Sequence, residues 1–566
     1  MARILSLLSA MIRTRALLLG LLLAGCGKND EQTAEGEVSR SWNPLEVTEV
    51  GDIPAAAIRA EIGRQLKTKP SYATDDQWTH TRTLYKAYQN APLWLDDDGL
   101  MKDRADALVD ALVNATTDAI RIDEYPLMPL AALLDTLRRQ KDKSTGDQFT
   151  RADLLLTTAY VALSEDYLTG QIDPRSVAQS WHIDVKEEEV DSALGRSLRE
   201  THLAEAIERM RPQDEDYERL RQKLGEYRKT VSAGGWAAVP RGKALKRGDR
   251  DTPARLQVLR NRLQAEGIQV ASDSSTAGVF GQAMAAGIAQ FQARHGIVVD
   301  STLGKETLDA LNVPATFRLA QIAANLERYR WLPRTLGNRY IFVNVPAFKL
   351  EGYENGRKAI EMKVIVGAEY DDRATPVFSD RMEFVVFRPY WNVTDNIAKN
   401  ELFPKFAASG VPADYEIYSE NGVQRIRQKP GPKNSLGLVK FMFPNDFNIY
   451  LHDTPQDNLF KEDIRAFSHG CIRVEKPEEL AQWVLGWDRG RVDNAMQRGS
   501  NNQHVKLPNS IPVYIAYMTT FVRDGNVWFG NDLYRRDQQL AEAVWGGAMP
   551  SGEAVRAVAA LRQLTD

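Results

Sequence analysis

The feature that most constrains the fold is a change in the spacing of apolar residues near Phe317. Before this point apolar residues recur at helical spacing. Leu154, Val161 and Leu168, for example, share one face of a helix that Gly170 is expected to end. After this point, apolar and aromatic runs of strand length dominate. Helices followed by strands predict a multidomain α+β protein whose last large unit is a mainly β, sandwich-like domain.

The length and composition fit several globular domains. The chain has 566 residues, of which 43% are hydrophobic and 26% charged. The predicted units are a helical scaffold over 51–245, a three-helix unit over 246–314, the mainly β domain over 315–540 and a C-terminal helix over 541–566. The formal net charge of −4 gives no reason to expect nucleic acid as a partner.

The N-terminus has the layout of an export signal. Basic residues precede the apolar run ALLLGLLLAGC, which is too short to span a membrane and ends at Cys26. The sequence LAGC resembles a bacterial lipobox, which implies a signal peptide over 1–25, a lipid on Cys26 and a membrane-anchored periplasmic protein. Gly27 in place of aspartate favours the outer membrane. The alternative is an ordinary secretory signal with a chance cysteine. Residues 26–50 are polar and acidic and predict a flexible tether.

The unit over 246–314 contains three amphipathic helices. It resembles the small peptidoglycan-binding domain, and the resemblance implies the cell wall as a partner. The alternative is that the matching residues are only core and caps of a helical module. These residues are Leu259, Leu263, Phe280, Phe291, Gln292, Gly296, Gly304, Thr307 and Leu308.

The mainly β domain contains an interruption. A tight hairpin is expected at Asn355-Gly356, and further strands are expected in MEFVVF, GLVKFMFP, FNIYLHD and SIPVYIAYMT. The segment 396–431 breaks this pattern just before the last strands. We interpret it as a helical lid insertion, the alternative being a passive surface insertion.

Chemically active side chains gather near the second cysteine of the chain. Lipidation of Cys26 would leave Cys471 as the sole free thiol. Alternation along the strand NIYLHD puts Tyr450 and His452 on one face, and an extended SHGCIRV would align His469, Cys471 and Arg473. Nearby imidazole and Arg473 are expected to make the thiol lose its proton easily, and a thiolate with a base can perform acyl transfer.

Two other interpretations of the same residues stay open at this point. His452, His469 and Cys471 supply the three ligands of a catalytic zinc site, although their spacing is not that of usual metal motifs. The second alternative is a buried, inert cysteine beside core histidines. The residue types favour a nucleophile without metal or cofactor.

The same residues resemble a known signature. His452 is followed 17 positions later by His469 within Ser468-His469-Gly470-Cys471, which resembles the L,D-transpeptidase (YkuD-like) motif. The flanking runs IYLHDTP, RAFSHGCIRV, KFMFPN and PYWNV are similar to the long periplasmic members, which combine a helical scaffold with a peptidoglycan-binding domain. The unit over 315–540 is thus identified as an L,D-transpeptidase catalytic domain.

The resemblance implies a reaction. Cys471 would attack a peptidoglycan stem peptide after its third residue, release D-alanine and form a thioester, which an amine of a second stem resolves into a cross-link. His452 would donate and accept the proton, with His469 assisting. Backbone N–H groups of Gly470 and Cys471 would hold the oxyanion. The resemblance also implies carbapenem-type β-lactams as covalent inhibitors. The residues expected to contact substrate are Arg473, Ser468, Tyr450 and Trp391.

Two alternative functions remain at the level of sequence. Water could resolve the thioester, giving an L,D-carboxypeptidase or a hydrolase of protein–peptidoglycan links. The third possibility is a non-catalytic, lipid-anchored protein that only binds the cell wall.

Overall fold

The structure is a computed structural model that describes residues 42–140, 143–178, 180–183, 187–271, 278–369 and 373–565. The predicted signal peptide, Cys26 and the tether up to residue 41 lie outside these residues. Within them, no helix combines the length and apolar character needed to cross a membrane.

The N-terminal half is a helical unit built around one long helix. This helix begins with a capping box formed by Thr145 and Gln148, and it ends where predicted, at Gly170, whose φ is +87°. The elements of this unit are β1 Glu49–Val50, β2 Ile53–Pro54, α1 Ala55–Gln65, α2 Asp75–Ala87, β3 Leu95–Asp96, β4 Gly99–Leu100, α3 Lys102–Ala115, α4 Leu127–Gln140, α5 Gly146–Thr169, α6 Pro174–Val177, β5 Trp181–His182, α7 Glu187–Leu198, α8 Leu203–Glu208 and α9 Glu215–Ser232.

The three-helix unit follows as predicted. Its helices are α10 Pro253–Ala265, α11 Gln282–Arg294 and α12 Lys305–Leu311. Leu259, Leu263 and Phe291 are fully buried in its core, so these residues hold the unit together. The unit docks on the following domain through His295, whose ring stacks 5.4 Å from that of Phe529.

The remaining chain forms the mainly β domain and returns to the scaffold at its end. Its elements are α13 Ala315–Arg330, β6 Arg339–Asn344, β7 Lys349–Glu354, β8 Arg357–Gly367, β9 Val377–Phe387, β10 Trp391–Asn392, α14 Asp395–Ile397, α15 Phe403–Ser409, β11 Tyr415–Glu420, β12 Val423–Gln428, β13 Val439–Met442, β14 Leu451–His452, β15 Ala466–Ser468, β16 Ile472–Val474, α16 Pro477–Leu485, α17 Arg489–Arg498, β17 Gln503–Ala516, β18 Thr520–Arg523, β19 Asn526–Phe529, α18 Asp537–Ala543, α19 Trp545–Ala548 and α20 Gly552–Thr565.

One large sheet organises this domain. Its strand order is β13-β14-β16-β8-β7-β6-β17-β9-β5, and an additional pairing of β13 with β9 closes the sheet on itself. The predicted hairpin between β7 and β8 is present, with positive φ at Asn355 and Gly356. The prediction of a multidomain α+β protein with a mainly β domain is therefore confirmed, and the closed strand order adds a detail that periodicity does not give.

The scaffold and the β domain share structure. Strand β5 of the scaffold pairs in parallel with β9, with Trp181 opposite Val377. The last helix, α20, packs against α3 and α4, and its Ala557 and Leu561 are buried in the scaffold core.

A buried ion pair on α13 lies at this junction. Glu327 and Arg330 are both 0% exposed and 2.5 Å apart. Glu327 also accepts hydrogen bonds from the backbone N–H groups of Gln171 and Ile172, at 2.6 and 2.9 Å. The scaffold chain after α5 is therefore fastened to a helix of the β domain.

We predict that Glu327→Gln lowers the free energy of unfolding by about 3–5 kcal/mol, because it leaves the buried Arg330 charge without its partner. The measurement is urea unfolding followed by tryptophan fluorescence. The matched control is Glu61→Gln, which removes the acidic partner of the exposed Arg64 and should change stability little. Equal losses in the two variants would contradict a special role for the buried pair.

Candidate active site

Cys471 lies in a reversal of the chain between β15 and β16. Strand β15 runs parallel to β8, whereas β16 runs antiparallel to it. The turn passes through Gly470, whose φ of +112° is a conformation that other residues rarely adopt. The run SHGCIRV is therefore not one extended strand, and the expected alignment of His469 with Cys471 and Arg473 is wrong.

Two hydroxyl groups hold this turn in place. The Ser468 hydroxyl donates to the Cys471 carbonyl oxygen at 2.5 Å and accepts the Gly470 N–H at 3.2 Å. From the neighbouring segment, the buried Thr375 hydroxyl donates to the Gly470 carbonyl oxygen at 2.9 Å. Ser468 thus has a positioning role within the turn, and its expected contact with substrate stays a prediction.

Three strands present charged and aromatic side chains around the thiol. Lys440, His452 and Arg473 are partners across β13, β14 and β16, so their side chains project from one face. Tyr450 and Cys471 precede His452 and Arg473 by two residues and share that face. Sequence reasoning missed Lys440. The signal was the single lysine between apolar residues in the predicted strand GLVKFMFP.

The thiol itself is half-buried, and burial sets its protonation. Burial raises the pKa of Cys471 above its ordinary value, although hydrogen bonds from Tyr450 and the charges of Lys440 and Arg473 oppose the rise. The sulfur lies 3.7 Å from the Asn448 carbonyl oxygen, an acceptor for the S–H group. Without substrate the group therefore remains a thiol at neutral pH, contrary to the expected easy loss of its proton.

His452 is arranged as a neutral imidazole. The residue is 4% exposed, and its Nδ1 lies 2.6 Å from the Asp453 carbonyl oxygen. Because a carbonyl only accepts, Nδ1 carries the hydrogen and Nε2 keeps a lone pair. Burial first, with the charges of Arg473 and Lys440, lowers the pKa of His452 to about 3. The resting ring is therefore neutral, with an unprotonated Nε2.

The two predicted oxyanion donors differ in their availability. The Gly470 N–H is already donated to the Ser468 hydroxyl within the turn. Of the predicted pair, the Cys471 N–H is therefore the better candidate for an oxyanion donor.

His469 contacts the lid rather than the thiol face. Its Nε2 lies 2.7 Å from the carboxylate of Glu401, which also pairs with Arg373 at 2.9 Å. The hydrogen bond from His469, followed by the charges of His469 and Arg373, lowers the pKa of Glu401 below its ordinary value. Glu401 lies in the predicted insertion, so this contact ties the lid to the turn that carries Cys471. No local motif marked Glu401, because the contact joins residues far apart in the chain.

The insertion has a small core of its own. Its first half is helical as expected, comprising α14, a π-helical turn and α15, but its second half is the hairpin β11–β12. Trp391 on β10 pairs with Gln428 of this hairpin and packs against the apolar cluster of the lid. The structure thus places Trp391 in the lid, and the prediction of a wholly helical lid is wrong because alternating residues pair as strands.

The side chains of Arg473, His452 and His469 each form a hydrogen bond with another group of the protein. The Arg473 guanidinium donates to the Gln456 side chain at 2.6 Å, and burial lowers its pKa although the neighbouring Cys471 opposes this. Among the residues that the structure describes, no three histidine, cysteine or carboxylate side chains gather as a metal site.

Comparison with known families places this site. Residues 338–515 match the YkuD family, described as the L,D-transpeptidase catalytic domain. Residues 79–224 match a family described as the Scaffold domain, and residues 252–311 match the "Putative peptidoglycan binding domain". The chain therefore contains a domain similar to L,D-transpeptidase catalytic domains, joined to scaffold and peptidoglycan-binding-type domains. The suspected resemblance is confirmed.

Individual proteins are similar over smaller parts. A protein of Haemophilus influenzae named "Putative L,D-transpeptidase" is 33% identical over 250 residues, which are 40% of this chain and 50% of that protein. The chain thus spans about half the length of this curated relative. An L,D-transpeptidase crystal structure from Xylanimonas cellulosilytica covers 49% of this chain and 99% of that one, with 14% identity and a TM-score of 0.15. A Clostridium acetobutylicum structure, titled a fused Zn-dependent amidase/peptidase/peptidoglycan-binding domain-containing protein, covers 49% and 100%, with the same identity and TM-score.

We predict that Ser468→Ala slows acylation of Cys471 about a hundredfold, because the turn loses both hydrogen bonds of the Ser468 hydroxyl and a shift of about 1 Å can cost that much. Ser468→Thr retains the hydroxyl and should keep most of the rate. The rate of Cys471 acylation by a carbapenem, followed by mass spectrometry, measures both variants. A wild-type rate of acylation in Ser468→Ala would mean that the turn keeps its position without the Ser468 hydroxyl.

We also predict that alkylation of Cys471 by iodoacetamide accelerates with pH through neutrality, without a plateau below about pH 8.5, because burial keeps the thiol protonated. Lys440→Gln should move the profile to higher pH, since it removes a charge that stabilises the thiolate. The control is Lys506→Gln, at an exposed lysine on β17. A plateau already reached at pH 6 would instead reveal a preformed thiolate–imidazolium pair.

Proposed function

We propose that this protein is a cysteine L,D-transpeptidase that cross-links peptidoglycan stem peptides through a thioester on Cys471. The observation that carries the proposal is the shared face of Cys471 and the neutral His452, within the matched catalytic domain. The position of the thiol at a glycine turn gives the nucleophile a fixed orientation, as acyl transfer requires.

In the first half of the reaction, Cys471 Sγ attacks the carbonyl carbon of the third residue of a donor stem. Nε2 of His452 takes the thiol proton as the C–S bond forms, and the Cys471 N–H stabilises the oxyanion. The peptide C–N bond then breaks, the same proton passes to the leaving amine, and D-alanine departs. Lys440 and Arg473 stabilise negative charge as it develops on sulfur.

In the second half, an amine of an acceptor stem attacks the thioester carbonyl. His452 takes the amine proton and returns it to sulfur as the C–S bond breaks, which leaves a new amide between two third-position residues. We propose that the lid favours transfer over hydrolysis by excluding water from the thioester, since it is folded around its own apolar core and contacts the turn of Cys471 through Glu401 and His469.

The contacts also suggest roles for the other predicted residues. Tyr450 hydrogen-bonds the sulfur and so lies where the donor carbonyl must approach. Arg473 lies on the same face and is suited to a stem carboxylate. We propose that His469 assists indirectly, by holding Glu401 and thereby the lid. Trp391 would contact substrate only as part of that lid.

The proposed substrate sets the cellular location. Peptidoglycan stems are on the outer side of the cytoplasmic membrane, so we propose a periplasmic enzyme that the lipid on Cys26 anchors, with the outer membrane favoured by Gly27. Carbapenem-type β-lactams are proposed as covalent inhibitors, because their strained amide carbonyl offers Cys471 the same acylation step.

The decisive experiment incubates the purified protein with disaccharide-tetrapeptide and follows products by mass spectrometry. We expect a cross-linked dimer and free D-alanine, and no product from Cys471→Ser. Acylation of wild-type Cys471 by a carbapenem serves as the control for a competent thiol. Tripeptide without dimer at high substrate concentration would overturn cross-linking in favour of hydrolysis. Absence of both products from a protein whose Cys471 is acylated would overturn the tetrapeptide as donor.

A further inference from the structure

A large cavity lies outside the cysteine site, between the scaffold and the β domain. It is a groove of about 790 Å³ between the start of α9, the strands β6 and β7, and the turn joining β18 to β19. A second hollow of about 260 Å³ continues it, since both share Gln213, Asp214, Tyr329, Tyr340 and Gly356. Two adjoining hollows of this volume offer room for several units of a linear polymer.

The floor of the groove alternates aromatic and polar groups. Residues that face each other across β6 and β7 form three successive rungs along the groove. These pairs are Tyr340 with Tyr353, Phe342 with Glu351, and Asn344 with Lys349. The rings of Tyr340 and Tyr353 stack 4.9 Å apart, and all three aromatic side chains remain partly exposed. Partly exposed aromatic groups gathered in a cavity are typical of a binding site.

The charges in the groove balance in number, and several of them pair with each other. Five acidic residues and five basic residues line it. Glu351, for example, pairs with Lys349 at 2.7 Å and Lys358 at 3.1 Å. Paired charges offer hydrogen-bond donors and acceptors without a net field, which favours a neutral polar ligand over a strongly charged one. The lining residues with charged side chains are Asp214, Glu215, Asp216, Glu351, Asp524, Arg219, Lys223, Lys349, Lys358 and Arg523.

The groove opens on the same face of the sheet as the thiol. Arg473 lies opposite Ile365 on β8, and Lys363, two residues earlier, lies opposite Lys349 on β7. Since cross-strand partners share a face, the side chains of Arg473 and Lys349 emerge on one side of the sheet, on strands separated by β8. A polymer in the groove would therefore lie on the same side of the sheet as the reacting cysteine.

We propose that this groove binds the glycan strand of peptidoglycan, with sugar rings stacked on Tyr340, Phe342 and Tyr353. The apolar C–H face of a pyranose packs on an aromatic face, and the hydroxyl and acetamido groups match the paired charges. This inference rests on the proposed function in that peptidoglycan is the substrate. It assigns glycan binding to a surface separate from both the cysteine site and the three-helix domain.

The first test uses the unmodified protein and glycan strands stripped of their peptides by an amidase. We expect hydrogen–deuterium exchange of the amides in residues 339–354 to slow when glycan is added. Protection confined to the three-helix domain would overturn the proposal. Protection of residues 339–354 by free tetrapeptide, and not by glycan, would also overturn it in favour of a peptide site.

The second test compares glycan affinity in the double variant Tyr340→Leu/Tyr353→Leu and in Tyr72→Leu, which changes an exposed scaffold tyrosine outside the groove. The double variant should bind peptide-free glycan about tenfold more weakly, whereas the control should bind as the wild type does. If the double variant binds peptide-free glycan with the affinity of the wild type, the proposal that glycan binds in this groove is wrong. Carbapenem acylation of Cys471 should be unchanged in both variants, which also reports that they are folded. The two proposals can fail separately. If the wild-type protein forms no cross-linked product but glycan still slows hydrogen–deuterium exchange in residues 339–354, the proposed reaction is contradicted and the groove remains supported.

Discussion

The packing of the scaffold against the β domain depends on the buried ion pair between Glu327 and Arg330. Two charges removed from water are stable only when every donor and acceptor finds a partner, and here the partners come from several parts of the chain. Glu327 accepts backbone N–H groups that follow α5, while Arg330 donates to the Asp118 carbonyl oxygen at 2.9 Å and the Tyr217 hydroxyl at 3.0 Å. The pair therefore fixes α13 between the scaffold and the sheet. The directional hydrogen bonds of the two side chains add to the burial of apolar groups in holding this helix in place.

In the active site of this domain, the proton stays on the Cys471 thiol at rest and moves to His452 only during the reaction that we propose. Burial keeps Cys471 protonated and His452 neutral, so the resting pair carries no charge. Lys440 and Arg473 lower the cost of negative charge on sulfur only when that charge develops. Such an arrangement protects a lone thiol from unwanted reactions until a substrate carbonyl is present. The turn through Ser468 and Gly470 contributes position rather than charge.

Local patterns in the sequence predict part of the fold and of the candidate active site, but not all of it. Alternation placed Tyr450 and His452 on one face, and Asn355-Gly356 specified a hairpin, because both depend on near neighbours. The reversal at Gly470 was missed because the positive φ of a glycine is not visible in its neighbours. Lys440 and Glu401 were missed for a different reason. Their contacts depend on pairing between distant segments, which strand propensity does not encode.

The position of α20 has a consequence for how the protein folds during its synthesis. This helix supplies Ala557 and Leu561 to a core otherwise built from the first helices of the chain. During synthesis, those first helices emerge long before the segment that covers them. Until then an apolar surface on α3 and α4 stays uncovered, and the scaffold cannot complete its core. Completion of the scaffold core therefore waits for α20, and a chain that ended before this helix would leave that apolar surface exposed to solvent.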